Sequence, residues 1–162
     1  LNPYSVTKVA GEKLCKMYTD LFGLKTVTFR YFNVYGDRAP KKGQYAPVIG
    51  IFQRQKAAGE PLTIVGDGEQ RRDFTHVDDI VDGLIRVGNL NYYHEDAWEL
   101  GTGINYSINE VAQMFVEKFD CKLNYIPNQN GNYRETLRES DDSLEKLNWK
   151  PKDNLKEYIY SL

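Results

Sequence analysis

The amino-acid sequence predicts an α/β fold, and three observations lead to that prediction. Segments with apolar residues at helical spacing alternate with short runs of β-branched and aromatic residues. The 162 residues are 41% hydrophobic and 27% charged, which suits one folded domain with a buried core. The chain also has no internal repeat and no low-complexity tract. The alternation favours an α/β fold over an all-β fold.

The first part of the chain begins with a helix and continues into a strand and a long loop. The predicted elements are a helix from Pro3 to Gly23 with Asn2 as its cap, a buried strand over residues 26–32, a loop over residues 33–45, and a helix from Pro47 towards Gly59. A loop of that length is more often functional than accidental.

The second part alternates strands and helices. Strands are predicted over residues 62–65, 74–77, 97–100 and 122–126, and helices over residues 78–87, 107–119, 143–147 and 155–160. Glycines predict turns at residues 66–68 and 101–103. Ser107 and Glu110 have the spacing of a capping box, in which each side chain accepts from the other residue's backbone N–H. Phe115, Phe119 and Trp149 are expected in the core.

The composition excludes several classes of protein. With 21 Lys and Arg against 23 Asp and Glu, the net charge of -2 argues against a nucleic-acid binder. Two cysteines, Cys15 and Cys121, cannot make a disulfide framework, so a cytoplasmic location is expected. His76 and His94 are too few and too scattered for a metal site. No apolar run is long enough to cross a membrane.

Tyr4 and Lys8 are candidates for proton-transfer chemistry. They are four residues apart on a predicted helix, so they share one face. An ammonium beside a phenol favours the phenolate, which can act as a general base on a substrate hydroxyl. Alone, this pattern is a weak signal, because most such pairs are ordinary solvent-facing side chains.

Two further blocks accompany this pair. Residues 30–36 read RYFNVYG at the end of a predicted strand, where α/β folds place ligand contacts, and residues 66–79 read GDGEQRRDFTHVDD. Together with NPYSVTK at residues 2–8, these blocks resemble the extended short-chain dehydrogenase/reductase family. The resemblance is closest to its nucleotide-sugar epimerase/dehydratase branch, and within that to the UDP-glucose 4-epimerases. It covers nearly the whole chain.

The resemblance implies a role for five residues. Tyr4 would be the catalytic tyrosine, and Lys8 would also hold the nicotinamide ribose of NAD. Tyr31 would line the nicotinamide pocket, and Asn33 would contact the diphosphate or the sugar of a UDP-sugar substrate. Arg72 would clamp the diphosphate, a role that suits a guanidinium.

The neighbours of Arg72 receive structural roles. Arg71 is expected to be solvated, although the sequence alone does not separate the two arginines firmly. His76 is expected to order the turn before the following helix, and Asp73 to be a structural acceptor. The turn at residues 66–68 lacks the Lys-Ser/Thr of a P-loop.

The chain departs from the family pattern at two places. Where the family has Arg-x-Gly-Asp, with a second diphosphate-binding arginine, residues 129–132 read QNGN, and Arg134 could supply the missing charge. The family's glycine-rich dinucleotide loop and the Ser/Thr that assists the tyrosine both precede the tyrosine, and neither is in this sequence. The opening LNPY shows no translation start, so the chain either was processed or is part of a longer protein, and it is expected to be inactive alone.

The implied fold is the C-terminal part of an extended Rossmann-type epimerase with its smaller substrate-binding domain. Residues 1–35 would end the nucleotide-binding domain, and residues 36–162 would be mainly the substrate-binding part. The implied reaction is NAD-dependent inversion at C4 of a UDP-hexose through a 4-keto sugar, in a homodimer. A nucleotide-sugar 4,6-dehydratase, a decarboxylase or a C5-type epimerase remains open, as does a non-catalytic UDP-sugar-binding module.

Overall fold

The computed structural model describes residues 3–43, 46–90, 96–129 and 133–162. Within these residues the helices are α1 (Pro3–Phe22), α2 (Val48–Ala58), α3 (Val77–Gly88), α4 (Ile108–Phe119), α5 (Asp142–Lys146) and α6 (Leu155–Ser161). The strands are β1 (Phe29–Tyr31), β2 (Asn33–Tyr35), β3 (Leu62–Val65), β4 (Arg71–His76), β5 (Trp98–Leu100), β6 (Asn105–Ser107) and β7 (Leu123–Ile126). The predicted α/β class is confirmed.

The strands form three small sheets. β1 pairs with β5 and β3 with β7, both in parallel, while β4 lies between parallel β2 and antiparallel β6. The register places Asn33 opposite Phe74, and Arg72 opposite Tyr106. Central β4 therefore joins the strand that carries Asn33 to the short strand before α4.

The chain changes from one sheet to the next at Phe32. The backbone N–H of Phe32 still donates to the carbonyl of Leu100 at 3.3 Å, but the following residues pair with β4. The continuous strand expected over residues 26–32 is therefore wrong in its bounds, and the expected loop starts only after Tyr35. Because of this change, Tyr31 and Asn33 belong to different sheets although they are two residues apart.

Two hydrophobic clusters form the core. The larger one combines α2, α4 and α6 with β3 and β4, and Phe52 and Phe115 meet edge to face at its centre, 5.6 Å apart. The smaller one packs α3 and β5 around the fully buried Trp98 and Trp149, with Phe29 from β1 against it. Phe115 and Trp149 are in the core as expected, and Phe119 is partly buried against it. The division of the chain at residues 35 and 36 stays a prediction.

Helix α1 has no buried residue. Its half-buried side contains Ser5, Glu12 and Thr19. The apolar residues at three- to five-residue spacing point away from the rest of the described chain, with exposed fractions of 38–68%: Val6, Val9, Leu14, Met17 and Leu21. We call these five side chains the outer stripe of α1.

Other expectations have mixed outcomes. The turns at residues 66–68 and 101–103 are present, and Gly66, Gly68 and Gly103 have the positive φ that turn glycines adopt. Strand β6 was not expected. The expected cap Asn2, the residues 130–132 and His94 lie outside the described residues. No helix in the described part of the chain is long and apolar enough to span a membrane.

Candidate functional site

Tyr4 and Lys8 lie together on the first two turns of α1. The Lys8 Nζ is 5.2 Å from the centroid of the Tyr4 ring, and Tyr4 is 60% exposed. In the ranges that the structure describes, no carboxylate pairs with Lys8. The predicted pair therefore exists as a contact, and it presents a phenol and an ammonium on an open surface.

Tyr31 and Asn33 lie on either side of the sheet change at Phe32. Tyr31 ends β1, is 51% exposed, and its ring stacks on that of Phe29 with centroids 6.0 Å apart. Asn33 begins β2 and is half-buried beside β4. Tyr31 ends one strand and Asn33 begins the next, so the two side chains can contact different parts of one bound ligand.

Arg71 and Arg72 differ because adjacent residues of a strand face opposite sides. The Nε and Nη2 of Arg71 donate to the side chain and the carbonyl of Asn105, both at 2.8 Å, and Nη2 forms an ion pair with Glu110 at 2.9 Å. The expectation that Arg71 is solvated is therefore wrong. Its guanidinium connects β4 to β6 and α4, since Asn105 and Glu110 come from those elements.

Arg72 has no such partner. Its Nη1 donates to the carbonyl of Arg71 at 2.7 Å, and no described carboxylate contacts it. Partial burial lowers the pKa of the Arg72 guanidinium from its usual value, because removal from water disfavours a charge. Arg72 is thus a half-buried cation without a counter-ion among the described residues.

Residues 133–138 run alongside the start of β4, where Glu135 forms a parallel bridge with Arg71, and we call them the crossing segment. The Arg71 N–H donates to the carbonyl of Arg134 at 2.9 Å, the Thr136 N–H donates to the carbonyl of Arg71 at 3.1 Å, and the Asp73 N–H donates to the carbonyl of Thr136 at 3.0 Å. These bonds hold the segment against the end of β4 at which Arg72 lies.

Arg134 is not a free cation. Its Nη1 contacts both carboxylate oxygens of Asp67, at 3.0 and 2.9 Å. The Glu69 N–H and the Arg134 guanidinium together hold the pKa of Asp67 below its usual value. Arg134 also lines a polar cavity of about 340 Å³ with Gly66, Asp67, Gln70, Asn128 and Tyr133. Its role as a second phosphate contact stays a prediction.

The crossing segment also reaches α1. The hydroxyl of Tyr133 lies 2.8 Å from the Ser5 Oγ, next to Tyr4. Tyr133 carries no signal in the sequence, because nothing in a lone tyrosine indicates a partner 128 positions away. This contact brings the crossing segment, and with it the Arg72 end of β4, towards the Tyr4–Lys8 pair.

Asp73 is a structural acceptor, as expected. It is fully buried, and its carboxylate accepts from the Thr102 N–H and hydroxyl at 2.9 and 2.8 Å, from the Gly103 N–H at 2.9 Å and from the Arg138 N–H at 3.2 Å. A Cβ at Gly103, where φ is 79°, would meet the Arg138 guanidinium at 2.6 Å. Asp73 thus joins the turn at residues 101–103 to the crossing segment.

His76 also has the expected structural role. Its backbone is extended, and its Nδ1 accepts from the Asp78 N–H at 3.3 Å, which caps α3. Across the four described ranges, no group of three or more His, Cys, Asp or Glu side chains could hold a metal ion. The candidate residues for chemistry and ligand binding are the Tyr4–Lys8 pair and Arg72.

Among the candidate residues, Tyr31 ends β1, and the carboxyl ends of strands are where α/β proteins place ligand contacts. Residues 1–101 match the NAD dependent epimerase/dehydratase family, and the chain belongs to this family.

Its relatives carry several activities in their names. A Methanocaldococcus jannaschii protein, named provisionally as a UDP-glucose 4-epimerase, is 35% identical over 98% of this chain and 51% of its own length. The GDP-mannose 3,5-epimerase of Arabidopsis thaliana is 33% identical over 95% of this chain and 41% of its own. A UDP-N-acetyl-alpha-D-glucosaminuronate decarboxylase of Bacillus cytotoxicus is 42% identical over 68% of this chain and 33% of its own.

Solved structures agree with the relatives. The UDP-glucose 4-epimerase of Thermotoga maritima, crystallised with UDP-glucose, superposes with a TM-score of 0.90 at 31% identity, over 99% of this chain and 52% of that one. The UDP-glucuronic acid 4-epimerase of Bacillus cereus, in complex with UDP-glucuronic acid and NAD, gives 0.89 at 28% identity, over 98% and 50%. The chain thus spans about half the length of the proteins that it matches.

Proposed function

We propose that this chain forms the substrate-binding part of an NAD-dependent UDP-hexose 4-epimerase that interconverts UDP-glucose and UDP-galactose. The observation that carries the proposal is the half-buried Arg72 guanidinium, which has no carboxylate partner among the described residues. A cation in this state is suited to a ligand that carries its own negative charge, and its planar fork matches phosphate oxygens.

Tyr4 exchanges the proton of the sugar's C4 hydroxyl. Its ring centroid lies 5.2 Å from the Lys8 Nζ, so the two groups face the same open surface. As phenolate, Tyr4 accepts the proton from the C4 hydroxyl, and as phenol it returns a proton to the 4-keto oxygen. The same group thus acts as general base in the first half of the reaction and as general acid in the second.

The residues of this chain fit NAD at the same place. Lys8 and Tyr4 present an ammonium and a hydroxyl on an open face, which are suitable donors for ribose hydroxyls, and Tyr31 presents a ring with 51% exposure. When bound, NAD supplies the acceptor and donor of the hydride at C4. The contribution of this chain is to hold the ribose with Lys8 and to place the Tyr4 oxygen beside the reacting hydroxyl.

Three polar side chains hold the rest of the substrate. Arg72 binds the diphosphate, and Asn33, at the start of the neighbouring strand, contacts the diphosphate or the sugar. Arg134 is a weaker second contact, because phosphate would have to replace the carboxylate of Asp67 that Arg134 already holds. Arg72 therefore contributes most of the phosphate affinity.

A decarboxylase acting on a UDP-uronate is the second candidate function. The 42% identity to the Bacillus cytotoxicus decarboxylase over 110 residues supports it. Both candidates use Tyr4 and Arg72 in the same way, and they differ in the product: a 4-epimerase conserves the carbon count, whereas a decarboxylase releases carbon dioxide and leaves a pentose. A binding module without catalysis would bind UDP-sugar and leave it unchanged.

The experiment is a turnover assay of the protein that contains this chain, with NAD and UDP-galactose. The parent protein is expected to form UDP-glucose, and Tyr4→Phe is expected to reduce kcat by about 10²–10⁴-fold, since it keeps the ring and removes the proton-transfer group. Tyr18→Phe on the same helix is the control and should keep the parent rate. Equal rates for Tyr4→Phe and the parent would contradict the proposal.

A further inference from the structure

The first turn of α1 is held by a contact from a remote part of the chain. Ser5 Oγ and the Tyr133 hydroxyl are 2.8 Å apart, although the residues are separated by 128 positions. A second hydrogen bond at this turn is local, from the Thr7 hydroxyl to the Tyr4 carbonyl at 2.7 Å. The Tyr133 contact thus ties the turn that carries Tyr4 to the crossing segment.

The rest of α1 is anchored further along. Glu12 accepts from the Arg30 Nε and Nη2 at 2.9 and 2.8 Å, and Thr19 meets the Thr26 hydroxyl at 2.6 Å. These contacts attach the middle and the C-terminal end of the helix to the segment around β1. Since no residue of α1 is buried, packing does little to fix the N-terminal end.

The segment that contains Tyr133, the partner of Ser5, is itself held in place by hydrogen bonds. The residues after Tyr133 are hydrogen-bonded to β4 at Arg71 and Asp73, and the adjacent Arg134 is paired with Asp67. Arg72 lies between those two strand residues. One end of the Ser5–Tyr133 bond therefore moves with Tyr4 and the other end with Arg72.

We propose that Tyr133 is a positioning residue, whose hydroxyl fixes the span between the proton-transfer pair on α1 and the diphosphate-binding Arg72. The role rests on the proposed function, since it matters only if one substrate contacts both places. A sugar held at its diphosphate by Arg72 reacts only when the Tyr4 oxygen is within hydrogen-bond reach of the C4 hydroxyl, and small displacements are costly. Tyr133 thus supports turnover without contributing to the affinity for the diphosphate.

The experiment compares Tyr133→Phe, Ser5→Ala and the double variant in the protein that contains this chain. Each single variant is expected to lower kcat roughly three- to tenfold, the effect of one neutral hydrogen bond. The affinity for UDP, measured by calorimetry, should stay within about twofold, because Arg72 is untouched. The double variant should be no worse than Ser5→Ala, since that substitution already removes the Ser5–Tyr133 bond. Ser5→Thr, which keeps a hydroxyl, should retain the parent rate.

Tyr125→Phe is the matched control. It removes a tyrosine hydroxyl that bonds Asn109 at 3.1 Å, away from α1, and it should change neither kcat nor UDP affinity. Additive losses in the double variant, or a parent rate in both single variants, would overturn the proposal.

Amide hydrogen exchange separates this proposal from the proposed function, because it needs no turnover. Exchange at residues 5–9 should become faster in Tyr133→Phe and stay unchanged in Tyr125→Phe. Unchanged amide exchange at residues 5–9 in Tyr133→Phe would overturn the positioning role, whatever the turnover rate of that variant. A parent protein without activity on any UDP-sugar would instead overturn the proposed function, and with it the span that Tyr133 is proposed to fix.

Discussion

Adjacent arginines of β4 show how much local sequence leaves open at the scale of single residues. Arg71 and Arg72 are equivalent in the motif, yet one is paired with Asn105 and Glu110 and the other has no described carboxylate. The choice of Arg72 as the diphosphate residue was possible from the family motif. The partners of Arg71 were not, because they lie 34 and 39 positions further along the chain.

The first prediction concerns the contribution of Asp73 to the stability of the fold. Asp73→Asn should lower the free energy of unfolding by about 3 kcal/mol, because it replaces a buried carboxylate oxygen with an amide NH₂ that faces backbone N–H donors. Urea denaturation measures the change. Asp20→Asn is the control: Asp20 pairs only with the exposed Lys16 among its described contacts, and its loss should cost less than about 1 kcal/mol. Equal effects of the two substitutions would contradict the role given to Asp73.

The elements were predictable where periodicity or capping signals are strong. Helix α4 begins after Ser107 as expected, because the Ser107 hydroxyl accepts from the Glu110 N–H at 3.0 Å and the Glu110 carboxylate accepts from the Ser107 N–H at 2.6 Å. Strand β6 was missed because it has three residues and is defined by its pairing with β4. The break at Phe32 was missed because a change of sheet leaves no local mark in a run of β-formers.

The capping box gives a prediction for an element. Ser107→Ala should destabilise the protein by about 1 kcal/mol, since the N–H of Glu110 loses its acceptor. Thermal and urea unfolding measure this cost. The UDP affinity should stay at the parent value, because Arg72 keeps its place on β4. Ser161→Ala, on the last turn of α6, is the control and should have a smaller effect on stability.

On the scale of the whole molecule, the outer stripe of α1 is an exposed apolar surface of the described chain. Five apolar side chains, 38–68% exposed, form a surface that would favour association. Relatives are about twice as long as this chain. We propose that further polypeptide and a second subunit cover the outer stripe of α1. We therefore expect the protein that contains this chain to be a homodimer. Light scattering should give twice the subunit mass, and a monomeric mass would contradict this expectation.

A further prediction at this scale is that these 162 residues alone show no turnover. With added NAD, this polypeptide should not interconvert UDP-glucose and UDP-galactose, because its sequence contains no glycine-rich dinucleotide loop to hold the pyrophosphate of NAD. Coupled detection of UDP-glucose formation measures the activity. The full-length UDP-glucose 4-epimerase of Thermotoga maritima is the positive control. Measurable turnover by the 162 residues would show that NAD binds without that loop.

The most direct test of the central claim is calorimetric titration of Arg72→Ala with UDP and with uridine. Charge-assisted hydrogen bonds contribute about 1.5–3 kcal/mol, so UDP affinity should fall roughly ten- to hundredfold. Uridine has no phosphate, and its affinity should be unchanged. Arg86→Ala, a remote arginine paired with Asp82, controls for loss of charge, and circular dichroism confirms folding. Equal losses for UDP and uridine, or parent affinity for both, would contradict the claim that Arg72 binds the diphosphate.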